Sequence, residues 1–388
     1  MQTEIAGKEV DSISKGPFCK VGRMWRKAGK KMQVNVNELM PGCILIKEVE
    51  GKTSRPLIPE NTVLHPVHIN VLRAFRIREV EISSRLSSGE TFEEASEHYE
   101  PEDVEATVNE EFREEYLSAV HHHRRMFTKW KNRSGIDLPE IREWFLPLLF
   151  KASEARQEIL RLHHYSSEND YMHHHSVAMG LIAGYLGQRL GLEKGEWIQV
   201  ALGGLLSDAG MALISPEILK KSGSLSAGEM AEVRQHPVHS YRMVEDLTVL
   251  SKKVKYAVLQ HHERLDGTGY PLAVSQKKIH FYSQIIAVSD VYHAMTSERP
   301  YRKKQSPFKV IEEIQKEQFG KYDMRVIKML VEDLASISVG TTVKLSNEEL
   351  ATIVFVDPST PAHPMVRLQR SQVLLSLKDE GLHVEEVY

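Results

Sequence analysis

Five side chains able to hold a cation stand where a helical pattern calls for apolar ones. His175 shares a stripe with Ala178, Met179, Ile182 and Leu186, at spacings of three, four, seven and eleven residues, which is one face of a helix. Asp208 follows Ala201 and Leu205 by seven and three, His261 continues Val254, Ala257 and Val258, and Asp290 shares a stripe with Ile286, Ala287 and Ala294. His236 lies three residues after Val233. A single buried histidine is more often a hydrogen-bonded core residue than a ligand. Two carboxylates on inward faces are harder to explain, because an unpaired buried charge costs several kcal/mol. A dication offsets that cost for all of them together. Imidazole combined with carboxylate suits iron, manganese or zinc, and ligands drawn from several helices suit a site inside a helical bundle.

Next to His261 stands a stretch of a different kind, HHERLDGTGYP, residues 261–271. Metal-type ligands run directly into Asp266, Gly267, Gly269, Tyr270 and Pro271. The glycines permit a tight turn and the proline freezes it. The stretch therefore reads as a fixed loop beside a polar cluster.

The elements that must position these residues follow from the rest of the chain. With 388 residues, two or three domains are expected. Fifty basic and 53 acidic residues leave a net charge of −3, which gives no global attraction to DNA or to an anionic membrane. Two cysteines, Cys19 and Cys43, make no disulfide framework and fit a reducing cytoplasm. No apolar run reaches the ~18 residues of a membrane helix, and no signal peptide is evident. Residues 1–31 read as a disordered basic leader. Residues 32–88 alternate in short strands around a Pro-Gly turn and read as a small α+β accessory module. Residues 89–137, acidic and then basic, read as a helical linker, with His121, His122 and His123 on a solvated cationic face. Residues 138–330 have helical periodicity throughout, and 331–388 read as a small β extension. The fold class is mainly α, a helical bundle flanked by two small modules.

On these motifs the chain resembles the HD-GYP family, a subgroup of the HD phosphohydrolases. HHERLDGTGYP is similar to its signature. DYMHHHSVAMG, LLSDAGM, ILKKSGSLSAGEMAEVRQHP and VSDVYHAMTSERPYR follow in the family's order over about 160 residues. The resemblance implies a metal-dependent phosphodiesterase acting on the bacterial second messenger cyclic di-GMP, with the linear dinucleotide pGpG or GMP as product. It implies two divalent transition-metal ions, iron or manganese, or one ion only. His236, His261, His262 and Asp208 would hold one, and His175, Asp208 and Asp290 the other. Asp208, Asp290 and Tyr270 would be catalytic. Asp266, Gly267, Gly269 and Pro271 would shape the substrate loop, and Arg299 and Arg302 would grip phosphate or the guanine edge, for which the arginine fork is suited. Glu263 would orient one of the paired histidines. A cyclic dinucleotide is the expected ligand, with room for a signalling protein partner and a homodimer.

Three positions depart from the family pattern. Ser207 stands where the family has the His of its His-Asp pair, Met211 where it commonly has lysine, and Tyr171 where some members place a Glu for a third metal. A hydroxyl is a poor ligand for such ions. His173 or His174 is a candidate substitute for the missing imidazole, and His163–His164 has no assigned role. The departures leave two readings: a phosphodiesterase of weakened activity, or a degenerate domain that binds a cyclic dinucleotide or a protein partner without hydrolysis. Hydrolysis of a related cyclic dinucleotide is a third.

Overall fold

The computed structural model describes residues 31–50, 56–64, 68–69, 72–73, 77–96, 110–166, 170–221, 223–298, 304–317, 320–357 and 360–388. Arg299, Arg302 and the basic leader up to residue 30 lie outside the described residues. The chain divides into two compact units, Met1–Asp103 and Val104–Tyr388.

In the first unit, β1 (Lys31–Asn35) pairs antiparallel with β4 (Glu79–Ser83), and β2 (Val49–Glu50) pairs with β3 (Pro56–Ile58). A helical turn, α1 (Phe92–Ser96), follows. Val34, Leu39, Leu45, Leu64, Val80 and Ile82 make its core.

The second unit is mainly helical. Its described helices begin with α2 (Glu110–Lys131), α3 (Leu138–Glu154), α4 (Arg156–Arg161), α5 (Tyr171–Arg189) and α6 (Lys194–Leu206). They continue through α7 (Pro216–Leu219), α8 (Ala227–Val233), α9 (His236–Val244), α10 (Lys252–Gln260), α11 (Phe281–Thr296), α12 (Pro307–Glu317) and α13 (Met324–Ile337). Residues 110–131, read from sequence within a charged helical linker, form a core helix. Phe112, Tyr116, Val120, His123, Met126, Phe127 and Trp130 recur every three or four residues and are buried with the bundle. The acidic residues that dominate the composition there occupy its other faces. The three adjacent histidines point three ways, as helical geometry requires. His121 is exposed, His122 stacks on Trp144, and His123 is buried, so the triplet is not one solvated face.

Helix α5 is buried from His174 to Gly187 and runs beside α6 and α11. A helix with apolar residues on all sides belongs at the centre of a bundle. Its far end is fixed by Asp333 on α13, fully buried, which accepts from Tyr185 Oη at 2.8 Å and pairs with Arg189 and Arg156. Removing one partner of such a buried pair costs about 3–5 kcal/mol.

The chain closes with a five-stranded antiparallel sheet: β5 (Thr342–Leu345), β6 (Leu350–Phe355), β7 (Met365–Leu368), β8 (Leu374–Ser376) and β9 (Val384–Val387), in the order β8-β7-β6-β5-β9. The short α14 (Leu377–Glu380) precedes β9 and ends at Gly381. Val343, Leu345, Ile353 and Val366 join the helical core. Among the described residues no helix is long and apolar enough to cross a membrane.

Candidate metal centre

Helix ends place most of the candidate ligands. Asp208 follows α6 and caps the 3-10 turn Ala209–Leu213. His236 opens α9, His261 closes α10, and His262 comes next. His175 and Asp290 project from the middle of α5 and α11. Local caps set these ends. Ser226 and Glu229 form a reciprocal capping box before α8, Ser251 caps α10, and His280 caps α11.

The six converge. Asp208 Oδ1 lies 3.2 Å from His236 Nε2 and 3.6 Å from His261 Nε2, and its Oδ2 lies 3.6 Å from His175 Nε2. Asp290 lies 3.2 Å from His175 Nε2 and 3.4 Å from His262 Nδ1. One ligand atom from each of Asp208, His236, His261 and His262 falls within 4.8 Å of all the others.

Two tautomers follow from the hydrogen bonds. His236 Nδ1 lies 2.8 Å from the Val233 carbonyl, and His261 Nδ1 lies 2.8 Å from the Val258 carbonyl. A carbonyl only accepts, so each Nδ1 carries a proton and each Nε2 is left to face the cluster. Those two Nε2 atoms are 3.2 Å apart. Two ring nitrogens and a carboxylate oxygen that close need a proton or a cation shared among them. The donor set therefore fits a metal ion.

The charge states agree. Burial pushes Asp208 toward the neutral acid, but hydrogen bonds from His236 and His261 outweigh it and hold the carboxyl well below its usual range. Burial likewise opposes ionisation of Asp290, and the hydrogen bond from His175 leads the interactions that overcome it. For His262, burial and the neighbouring His261 outweigh the attraction of Asp290 and keep the ring neutral. Two ionised carboxylates beside the neutral His262 ring favour a cation among them.

The 261–271 loop covers this pocket. Gly267 has φ +81°, in the left-handed region that favours glycine. A Cβ at Gly269 would come within 2.4–2.5 Å of Glu263 Cα, Arg264 N and the His262 carbonyl, so no side chain fits. The Tyr270–Pro271 peptide is cis. Tyr270 stacks on His262 at 4.7 Å between centroids, with the Arg234 guanidinium 5.4 Å above its ring. Burial pushes the Tyr270 phenol up, so it stays protonated. Fully buried Glu263 does not orient a histidine. Its carboxylate accepts from Leu272 N at 2.6 Å and Val274 N at 3.1 Å, and so it anchors the loop.

Tyr270, His262, Gly269 and Asp290 line one cleft of about 500 Å³. Arg234, Arg264 and Lys321 line it as well, three cations that the sequence motifs did not single out. Asp266, Gly267 and Pro271 do not face it. Asp266 turns to Thr268, accepting from its N and Oγ1 at 2.9 and 2.7 Å, and shapes the loop from outside.

The departures are also placed. Ser207 is fully buried and its hydroxyl donates to the Gly203 carbonyl at 2.8 Å, back along its own helix. Met211 packs against the helical core. Tyr171 stacks on His175 at 5.2 Å. Neither His173 nor His174 substitutes for the missing imidazole, since their partners are His123 and Tyr116 on α2. Instead His293, one turn beyond Asp290 and almost fully buried, brings its Nδ1 to 3.1 Å from His175 Nδ1. Its spacing of three from Asp290 was the available signal. The His163 and His164 rings meet at a tilt, 4.2 Å between centroids, beside a separate small cavity.

Residues 158–326 match the HD domain family. A cyclic di-GMP phosphodiesterase of Pseudomonas aeruginosa is 34% identical over 196 residues, covering 50% of this chain and 47% of that protein. Another from Borreliella burgdorferi is 29% identical over 192 residues, half of each chain. A 3'3'-cGAMP-specific phosphodiesterase of Vibrio cholerae is 30% identical over 136 residues, 35% of this chain and 29% of that one. The chain thus spans about half the length of the curated relatives it matches first. The helical unit carries an HD domain. The paired histidines and the Gly-Tyr-Pro loop stand within the matched residues.

Proposed function

We propose that the chain is a metal-dependent phosphodiesterase that hydrolyses cyclic di-GMP to pGpG, GMP or both. The observation that carries the reading is the meeting of Asp208, His175, His236, His261, His262 and Asp290 at the edge of a cation-lined cleft. His236, His261, His262 and Asp208 would hold one divalent ion, and His175 and Asp290, sharing Asp208, a second. Iron and manganese suit this mixed nitrogen and oxygen set. Such ions acidify a bound water and neutralise charge on the phosphoryl oxygens.

The chain's own residues do the rest. Arg234, Arg264 and Lys321 draw the phosphates into the cleft, with Arg299 and Arg302 as further candidates. Protonated Tyr270, fixed against His262, offers a hydroxyl to phosphate and a ring face to a base. The loop anchored by Glu263 keeps that wall in place and limits water.

A second reading is favoured by Ser207. With its hydroxyl turned to Gly203, it offers nothing to the His175 half-site, and a degenerate domain that only binds the nucleotide would tolerate that loss. The test is metal analysis of the full chain purified anaerobically, with chromatography of products from cyclic di-GMP and 3'3'-cGAMP. Close to two metals per chain and a linear product are expected. Nucleotide binding without product at any metal loading would replace the enzyme with a binding module.

A further inference from the structure

His236 and His261 sit at helix ends, where carbonyls of the last turn lack helical partners. Their Nδ1 protons go to Val233 and Val258, each three residues back. His175 has no such resource. It lies inside α5, where backbone carbonyls serve the helix, and the nearby Met172 carbonyl already accepts from Ser176 Oγ at 3.1 Å. A ligating imidazole needs its second nitrogen held by an acceptor, because that bond fixes both tautomer and ring orientation. For His175 the neighbouring group comes from another helix: His293 Nδ1, 3.1 Å from His175 Nδ1.

We infer that His293 is a positioning residue that sets His175 for cation binding by accepting its Nδ1 proton, an inference that rests on the proposed metal centre. Two ring nitrogens at 3.1 Å bond only when one of them carries the proton. To bind a cation held between Asp208 and Asp290, His175 must offer its lone pair from Nε2, so in that state the proton is on Nδ1 and His293 accepts it. The proton of His293 is then on Nε2, and Ser297 Oγ lies against the same ring, 3.3 Å from Nε2 and 3.4 Å from Nδ1. Ser297 closes α11 one turn further on and is itself buried. Tyr171 completes the enclosure, stacked on His175 at 5.2 Å and on His293 at 6.4 Å. The His293–His175 contact thus does with a side chain what a backbone carbonyl does for His236 and His261.

The test uses metal-depleted full chain titrated with manganese by calorimetry, with ring-nitrogen NMR of His175 as a second readout. His293→Leu keeps an apolar body without an acceptor, and it should weaken manganese binding by roughly 10–100-fold. It should also move the His175 proton off Nδ1. His293→Asn places an amide oxygen near the Nδ1 position and should retain most of the affinity. His293→Gln places its oxygen near the Nε2 position and should not, which keeps the comparison decisive if the Leu variant fails to fold. Equal affinity in all variants, or equal loss in Asn and Gln, would overturn the positioning role. A wild-type chain that binds no manganese would instead bring down the metal centre and this inference with it.

Discussion

Replacing Glu263 with Gln tests whether the Gly-Tyr-Pro loop is a rigid part of the site. The Glu263 carboxylate is fully buried and accepts two backbone protons, from Leu272 at 2.6 Å and Val274 at 3.1 Å. A hydrogen bond to a charged group is worth about 1.5–3 kcal/mol. Gln keeps one acceptor oxygen and turns its NH2 toward the other backbone donor. One bond is lost and a donor faces a donor, so the loop should lose roughly 2–4 kcal/mol of local order. At about 1.4 kcal/mol per decade, the amides of Leu272 and Val274 should exchange about 30- to 1,000-fold faster. Amides in the middle of α10 and α11 should change far less, because their ladders do not depend on the loop. On the proposed reading, KM for cyclic di-GMP rises along with this loosening, since Tyr270 is carried by the same loop. Hydrogen exchange by mass spectrometry, read beside steady-state kinetics, measures both. Unchanged protection at residues 272 and 274 would show that the carboxylate anchors nothing.

Two further outcomes are expected. Ser207→His should raise the metal retained per chain after challenge with a chelator and increase any turnover, as measured by elemental analysis and product chromatography; a folded variant with no gain in either would refute the account of the weakened half-site. His123→Leu should flatten the acid side of the stability curve. Burial, with His173 beside it, pushes the His123 ring down to about 3 from an ordinary 6.5. The folded state therefore binds fewer protons there than the unfolded chain, and stability that is full above pH 6.5 is lost as pH falls toward 3. The loss from this group should reach about 2 kcal/mol at pH 5. Urea unfolding at pH 7.5 and pH 5 reads it, and parallel losses in wild type and variant would refute it.

The centre was legible where polarity broke a helical stripe. His175, Asp208, His261 and Asp290 each interrupt an apolar face, and the structure brings all four within contact of one another or of a shared carboxylate. His293 lies on the same face of α11 as Asp290 but was hidden, because an Asp already accounted for that face. Helix α2 was obscured in another way. Its charges outnumber its apolar residues, and composition spoke louder than the three- and four-residue recurrence of Phe112, Tyr116, Val120 and Trp130. The cleft cations Arg234, Arg264 and Lys321 were out of reach, since they come from a helix end, a loop and a turn that meet only in the folded chain. Glu263 was recognised as a supporting residue, but its partners lie nine and eleven residues downstream, and only the folded loop identifies them.

The departures from the family pattern carry opposite implications once they are placed in space. A closed set of four protein ligands characterises structural metal sites, whereas catalytic ones keep a position open for water or substrate. On the proposed reading Asp208, His236, His261 and His262 would supply four ligand atoms to one half of the centre. On that reading the other half would have His175, Asp290 and a share of Asp208, and Ser207 leaves it no second imidazole. That half is weaker, but it is also the more open, and Asp290 borders the cleft. The charge missing at Met211 is likewise offset, because Arg234, Arg264 and Lys321 already line the cleft. Weaker metal retention with chemistry preserved is therefore the expected consequence of these substitutions. A degenerate binding module would have no use for Asp290 held ionised beside His175 in a nearly buried pocket, where an unpaired carboxylate is costly.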